Sequence, residues 1–134
     1  MTRCFVISAS LVLGACGGAP AAPEAGAISP AQLAERLGDV AAPLILDVRT
    51  GDEYRQGHIP GAVNIPHDEL AARLSELPIA RSEEVVVHCQ RGGRARLAEA
   101  VLREGGYSNV RDLSGHWQAW QAAGLPVATG AGPP

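Results

Sequence analysis

Residues 85–94 of the chain are Val-Val-Val-His-Cys-Gln-Arg-Gly-Gly-Arg. An apolar run of this length is typical of a buried strand in a parallel sheet. The glycines after Cys89 predict a turn, and the residues that follow have a helical period. A cysteine that a strand delivers to a helix N-terminus meets backbone N–H donors and the positive end of the helix dipole. The stretch therefore predicts a strand–loop–helix unit in which Cys89 is a reactive thiolate.

Cys89 has no disulfide partner within the predicted domain. The chain has three cysteines, and the other two, Cys4 and Cys16, lie in an N-terminal segment without the pattern of a globular fold. A lone cysteine is more commonly a small buried apolar side chain. The two arginines and two glycines beside Cys89 favour a chemical role instead, because reactive cysteines occupy electropositive surroundings.

Strand patterns alternate with helical patterns along the rest of the chain. Apolar runs predict strands at 44–48, 62–65, 84–89 and 109–113. Helical periods and capping residues predict helices at 29–38, 50–57, 68–77, 92–104 and 117–123. This alternation indicates an α/β fold, with a small, mostly parallel sheet flanked by helices. Function in such sheets gathers at the C-terminal ends of strands, where Cys89 lies on one strand and Asp47 and Arg49 lie on another.

The N-terminus has the features of an export signal. Residues 1–15 contain one early arginine and then an apolar run that is too short to span a bilayer. Leu13-Gly14-Ala15-Cys16 resembles the lipobox of bacterial lipoproteins. That resemblance implies cleavage before Cys16, acylation with chains such as palmitate, and an exported lipoprotein on the cell membrane, facing the periplasm or the cell exterior. An ordinary secretory signal with a coincidental cysteine is the alternative.

Composition sets the remaining boundaries and excludes several partners. Residues 16–27 predict a flexible Gly/Ala/Pro tether, 28–127 a single domain of about 100 residues, and 128–134 a disordered tail. The formal net charge of −3 argues against a nucleic-acid partner. No Cys/His spacing predicts a zinc site. We therefore expect neither a metal nor a cofactor.

Four motifs, in order over most of the domain, resemble the rhodanese family of sulfurtransferases. They are Leu46-Asp47-Val48-Arg49 with Glu53-Tyr54, the run from Gly57 to Pro66, the loop from Cys89 to Arg94, and Tyr107-Ser108-Asn109-Val110 through Leu113 to Trp120. The resemblance implies the rhodanese-like fold. Two departures are local: Gln90 and Arg91 stand where many members have Arg-Ser, and Ser114 replaces the first glycine of a common Gly-Gly pair. They bear on the sulfur donor and leave the nucleophile in place.

The resemblance implies a two-step sulfur transfer through Cys89. Its thiolate attacks the outer sulfur of a donor such as thiosulfate, sulfite leaves, and a persulfide remains on the cysteine. A thiophilic acceptor, either cyanide or another thiol, then takes that sulfur. The resemblance therefore implies a small sulfur-containing anion and an acceptor as partners, and the activity of a rhodanese-type thiosulfate sulfurtransferase.

The loop that follows Cys89 has two arginines with expected roles in this sulfur transfer. Gln90, Arg91, Gly92, Gly93 and Arg94 form the active-site loop. Arg91 is expected to meet an anionic donor, although charged side chains at a surface are often only solvated. Arg94 is expected to brace the loop by pairing with a carboxylate such as Glu53.

Other side chains near the loop are expected to support it. Asp47 ends a buried strand and needs a partner, which Arg49 or the loop backbone supplies. His88 and Cys89 face opposite sides of a strand, so His88 is expected to be structural, as is His58. Trp117 and Trp120 are expected to be core aromatics, one of which edges the pocket.

Two other functions compete with sulfur transfer. Related folds run phosphatase and arsenate reductase chemistry from a Cys-to-Arg loop with five intervening residues, whereas Cys89 and Arg94 enclose four. The shorter loop fits a single sulfur better than a tetrahedral oxyanion. The second alternative is a non-catalytic binding module or a persulfide relay, since some rhodanese domains have lost the cysteine and act in interactions.

Overall fold

The computed structural model describes residues 26–132. Four parallel strands form one sheet in the order β2-β1-β3-β4. The elements are α1 (Pro30–Glu35), β1 (Leu44–Asp47), α2 (Gly51–Gln56), β2 (Val63–Asn64), α3 (Leu70–Arg73) with a 3-10 turn (Leu74–Glu76), β3 (Val85–His88), α4 (Gly93–Glu104), β4 (Val110–Asp112) and α5 (His116–Ala122). The predicted α/β class with a parallel sheet is confirmed.

The register of the two central strands places the predicted site residues side by side. Asp47 of β1 lies opposite His88 of β3, so the two strands end at the same level. Arg49 and Cys89 come directly after these ends. Because parallel strands bring their carboxyl ends to one edge of the sheet, residues 40 positions apart in sequence share one site.

Each face of the sheet has its own hydrophobic core. Alternate residues of β3 point to opposite faces, so Val85, Val87 and Cys89 pack with Leu46 and other residues on the α4 side. Val86 packs on the other face, with a cluster that includes Trp120. The Cys89 side chain is therefore part of a packed core as well as the first residue of the loop.

Local capping explains where the early helices begin. Ser29 and Thr50 are the N-caps of α1 and α2, and each forms a reciprocal capping box with the residue three positions later. α1 ends at Glu35, three residues before the predicted end at 38. The helix predicted for 68–77 divides into α3 and a 3-10 turn, since the short amphipathic segment tightens before Pro78.

The chain after Val127 differs from the predicted disordered tail. Ala128 and His58 exchange two backbone hydrogen bonds of 2.9 Å each. The N–H of Gly130 donates to the carbonyl of Arg55 at 3.0 Å. These bonds satisfy backbone groups at the end of α2, so the domain continues through Gly130. The pairing joins distant segments, and the composition of residues 128–134 contains no signal for it.

No helix within residues 26–132 is both long and apolar enough to cross a bilayer. The predicted signal and Cys16 lie outside the described residues, as does most of the predicted tether.

Candidate active site

Cys89 is held at the point where β3 enters the loop. Its side chain is buried, with 1% of the residue exposed, and it is a free thiol. The backbone N–H of Gly92 donates a hydrogen bond to the sulfur at 3.0 Å. Gly92 has a φ of 122°, which side chains with a Cβ rarely adopt. The glycine is therefore needed to turn an N–H group back onto the sulfur.

Backbone N–H groups of helix α5 bind the carbonyl groups of the first two residues of the loop. The N–H of Trp117 donates to the carbonyl of Cys89 at 3.0 Å, and the N–H of Gln118 donates to the carbonyl of Gln90 at 3.3 Å. Arg91 is exposed at the loop surface. Helix α4 starts at Gly93 and runs for 12 residues, so its N-terminus is directed at the loop.

Arg94 donates two hydrogen bonds to Glu53, from Nη1 to Oε1 at 2.7 Å and from Nη2 to Oε2 at 3.0 Å. This is the pairing that the sequence analysis expected. The hydrogen bond from Arg94 is the main reason that the pKa of Glu53 falls to about 2, and the same pair raises the pKa of Arg94. Both groups are charged at neutral pH, and they join the loop to α2.

Asp47 and Arg49 form a buried ion pair at the end of β1. The two side chains are 0% and 2% exposed, and Arg49 Nη2 lies 2.6 Å from Asp47 Oδ2. Arg49 also donates to the carbonyl of Gly57 at 2.8 Å. Its guanidinium stacks over the Trp117 ring at 4.5 Å from the centroid. Buried charges require such partners, and these tie β1 to α2 and α5.

Two further histidines, His88 and His58, contact groups other than the Cys89 sulfur. His88 is fully buried, and burial lowers its pKa, against the opposing effect of Asp47. Its Nδ1 lies 3.3 Å from the carbonyl oxygen of Cys89. The ring of His58 stacks on Tyr54 at 3.7 Å, and its Nδ1 lies 2.8 Å from the Tyr54 carbonyl. These contacts are those of structural residues.

A polar cleft of about 240 Å³ opens beside the loop. Trp117 lies along this cleft, while Trp120 is fully buried in the core. The lining residues are Arg49, Glu53, Gln56, Gly57, Gln90, Trp117 and Gln121. Glutamine side chains from three separate segments thus meet here. No cluster of His, Cys, Asp or Glu within residues 26–132 has the geometry to hold a metal ion.

His116 is a residue of the site that the sequence patterns do not indicate. It is buried, and its Nδ1 accepts a hydrogen bond from the N–H of Cys89 at 3.4 Å. The predicted last helix, 117–123, begins one residue after the start of α5 at His116. The only sequence signal was its place directly after Gly115, within the last of the four motifs.

The structure brings together every predicted site residue that it describes. Asp47, Arg49, Glu53 and residues 89–94 lie at one edge of the sheet. Cys16 falls outside the described residues. The resulting site has a buried thiol, a backbone donor to its sulfur and a cationic surface residue in the same loop.

Comparisons with known proteins agree with this geometry. A sulfurtransferase from Allochromatium vinosum is 38% identical over 100 residues, covering 75% of this chain and 92% of that protein. Thiosulfate sulfurtransferase 16, chloroplastic, from Arabidopsis thaliana is 37% identical over 92 residues, covering 61% of this chain and 77% of that protein. The crystal structure of the Alr3790 protein from Anabaena sp. has a TM-score of 0.69 at 32% identity, covering 76% of this chain and 82% of that chain. The model of the rhodanese-like domain matches residues 29–123, and the chain belongs to this family.

Proposed function

We propose that this protein is a sulfurtransferase that moves sulfane sulfur from a donor such as thiosulfate, through a persulfide on Cys89, to a thiol or to cyanide. The observation that carries the proposal is the N–H of Gly92 at 3.0 Å from the Cys89 sulfur. A donor in that place stabilises negative charge on sulfur. The relatives named sulfurtransferases support the same class of reaction.

The first step forms one sulfur–sulfur bond and breaks another. The Cys89 thiolate attacks the outer sulfur of thiosulfate, and the electron pair of the broken bond leaves with sulfite. The product is a Cys89 persulfide anion. Backbone N–H groups of the loop and the N-terminus of α4 stabilise this charge. The four residues between Cys89 and Arg94 leave room for one added sulfur rather than for a phosphate.

The second step returns the cysteine to its starting state. A nucleophilic acceptor attacks the terminal sulfur, and the bond to Cys89 breaks with its electrons on the thiolate. Cyanide gives thiocyanate, and a thiol gives a persulfide of the acceptor. The cleft beside Gln90 offers space for an acceptor near the loop.

Mass spectrometry of the domain after incubation with thiosulfate tests the covalent step. We expect the mass of one added sulfur atom on the peptide that contains Cys89, and its loss on addition of cyanide. Cys89→Ser is the control, and it should gain no sulfur. If no sulfur donor produces an adduct on the unaltered protein, the sulfurtransferase proposal is wrong.

We propose that Arg91 supplies the positive charge that attracts the anionic donor. It is exposed in the loop, whereas Arg94 is committed to Glu53. Arg91→Ala should raise the KM for thiosulfate about tenfold, because a hydrogen bond to a charged group is lost. Arg96→Ala is the matched control, since Arg96 is also exposed and lies nearby on α4. Equal effects of the two substitutions would argue for a general charge effect.

We also propose that Cys16 is lipidated and that the tether holds the domain near a membrane. The support is the signal pattern at 1–15 and the resemblance of residues 13–16 to a lipobox. Expression of the full chain in a bacterial host should place the protein in the membrane fraction. Cys16→Ser should release it, and a variant that stays membrane-bound would exclude lipidation at that residue.

A further inference from the structure

His116 adopts a backbone conformation that histidine rarely takes. Its φ is 56°, and it is the only non-glycine residue in 26–132 with a positive φ. It follows Gly115, whose φ is 70°. Side chains with a Cβ disfavour this region, and such strain persists where the surroundings hold the residue in place. The contacts of the His116 ring identify what holds it.

The His116 ring packs directly behind the sulfur-binding turn. Nδ1 accepts the hydrogen bond from the N–H of Cys89. A Cβ added at Gly92 would lie 2.8 Å from Nε2 of His116, so the ring lies against the backbone of that glycine. Gly92 is also the residue whose N–H donates to the sulfur. One imidazole thus contacts both ends of the turn that encloses the sulfur.

Asp112, the last residue of β4, holds the other side of the ring. Nε2 of His116 lies 3.4 Å from Oδ2 of Asp112. Because Nδ1 accepts a hydrogen bond from an amide, the proton of the neutral ring is placed on Nε2, facing the carboxylate. This arrangement orients the ring through a second residue, as carboxylates orient many functional histidines.

Glu99 of α4 is a second carboxyl group in the electrostatic surroundings of Asp112. Burial, followed by the charge of Asp112, raises the pKa of Glu99, while Arg103 at 3.3 Å opposes this rise. Oδ1 of Asp112 is buried and has no hydrogen-bond partner among residues 26–132. The recorded contacts of Asp112 and His116 therefore join β4, α5 and the first residue of the loop.

We propose that His116 is a positioning residue for the sulfur site, whose ring fixes the backbone of Cys89 and Gly92 so that the Gly92 N–H stays directed at the sulfur. This inference rests on the proposed sulfurtransferase function. His116 takes no part in bond formation, because its two ring nitrogens are engaged by an amide and a carboxylate. Loss of the ring frees the turn on that side and lowers the rate at which Cys89 takes up sulfur.

Two substitutions at position 116 separate positioning from folding. His116→Gly removes the buried ring but accepts a φ of 56° without strain, so the relief of strain offsets part of the lost packing, and we expect a folded protein with a lower unfolding temperature than the parent. We expect its single-turnover rate of sulfur uptake from thiosulfate to fall about tenfold, since the donor to the sulfur is no longer held. His116→Asn keeps a conformation that asparagine tolerates and places an oxygen acceptor near the Cys89 N–H, so it should recover much of the rate.

Two results would overturn this assignment. One is a His116→Gly protein that takes up sulfur as fast as the parent, and the other is a His116→Asn protein that is as slow as the glycine variant. Nitrogen-15 spectra of the parent ring add a test independent of activity and of variant folding. They should show the neutral tautomer protonated at Nε2, and protonation at Nδ1 instead would contradict the contact with Cys89. A parent protein that takes up no sulfur but shows the expected tautomer would refute only the proposed function.

Discussion

Glu53 performs two structural tasks with one carboxylate. Its Oε1 accepts hydrogen bonds from the N–H of Thr50 at 3.3 Å and from Arg94 at 2.7 Å. The first contact caps α2, and the second ties the active-site loop to that helix. Both contacts favour the ionised form of Glu53. The cap of α2 and the position of the loop therefore depend on the same negative charge.

Glu53→Gln should change how stability depends on acid. The pKa of Glu53 is about 2 in the fold and 4.5 as the ordinary value, so its stabilising effect is fully present above pH 4.5 and is lost as the pH falls towards 2. The glutamine variant should be less stable than the parent at pH 7, and its free energy of unfolding should decrease less between pH 4.5 and 2.

Urea denaturation at a series of pH values measures this difference. Arg94→Gln should reduce the same slope, because the hydrogen bond from Arg94 is the main cause of the low pKa of Glu53. Parallel stability curves for the parent and Glu53→Gln would show that the ion pair is not formed in solution.

The N-termini of α4 and α5 meet at the loop, and each has a glycine at its start. The two positions differ in whether their backbone conformation and surroundings require glycine. Gly115, before α5, has a φ of 70°, and a Cβ there would lie 2.4 Å from the Cβ of Ala119. Gly93, the first residue of α4, has no positive φ, and an added Cβ would meet nothing within 4 Å. One glycine is required by the geometry of its helix, while the other is not.

Alanine substitutions at these two positions should have opposite effects. Gly115→Ala should lower the free energy of unfolding by about 2–4 kcal/mol, because it combines a strained φ with a steric clash. Gly93→Ala should raise it by about 0.4–1 kcal/mol, because alanine restricts the unfolded chain without strain in the fold. Urea denaturation of the two variants beside the parent measures both values, and similar effects at the two positions would contradict this account.

The C-terminal strap is part of the domain. We use this name for residues 127–130, which cross from the end of α5 to the end of α2. The indole N–H of Trp120 donates to the carbonyl of Pro126 at 2.8 Å and sets the start of this crossing. Val127 packs near Gly57, where a Cβ would lie 3.2 Å from Cγ1 of Val127. The strap thereby covers the segment that carries Gly57 and His58.

A chain that ends at Val127 should be less stable than the full chain. It loses the two backbone hydrogen bonds between His58 and Ala128 and the bond from Gly130 to Arg55. At about 0.5–1.5 kcal/mol each, this loss should lower the unfolding temperature by roughly 5 °C or more for a domain of this size. A chain that ends at Gly132 keeps all three bonds and is the control. If the two truncated chains unfold at the same temperature, the strap adds no stability.

Local patterns in the sequence predicted the strands, the order of the helices and the chemistry of the loop. Apolar runs, glycines and caps are local signals, so 84–89 and 92–104 were predicted within a residue or two of β3 and α4. Parallel pairing then followed from the alternation of elements, which placed Asp47 near Cys89. The pairing of Arg94 with Glu53 could also be predicted from the sequence, because a cation in the loop needs a carboxylate partner at the same edge of the sheet.

The contacts between residues that are far apart in sequence depend on how whole helices and strands pack. The contact of His116 with Cys89 exists because β4 pairs with β3 and sets the start of α5 behind the loop. The strap meets His58 because the chain after α5 runs back to the end of α2. Neither contact leaves a periodic pattern or a composition bias, since each depends on where whole elements pack. The local pattern therefore identified the reactive residue, while the packing of the sheet and helices determined which residues hold it in place.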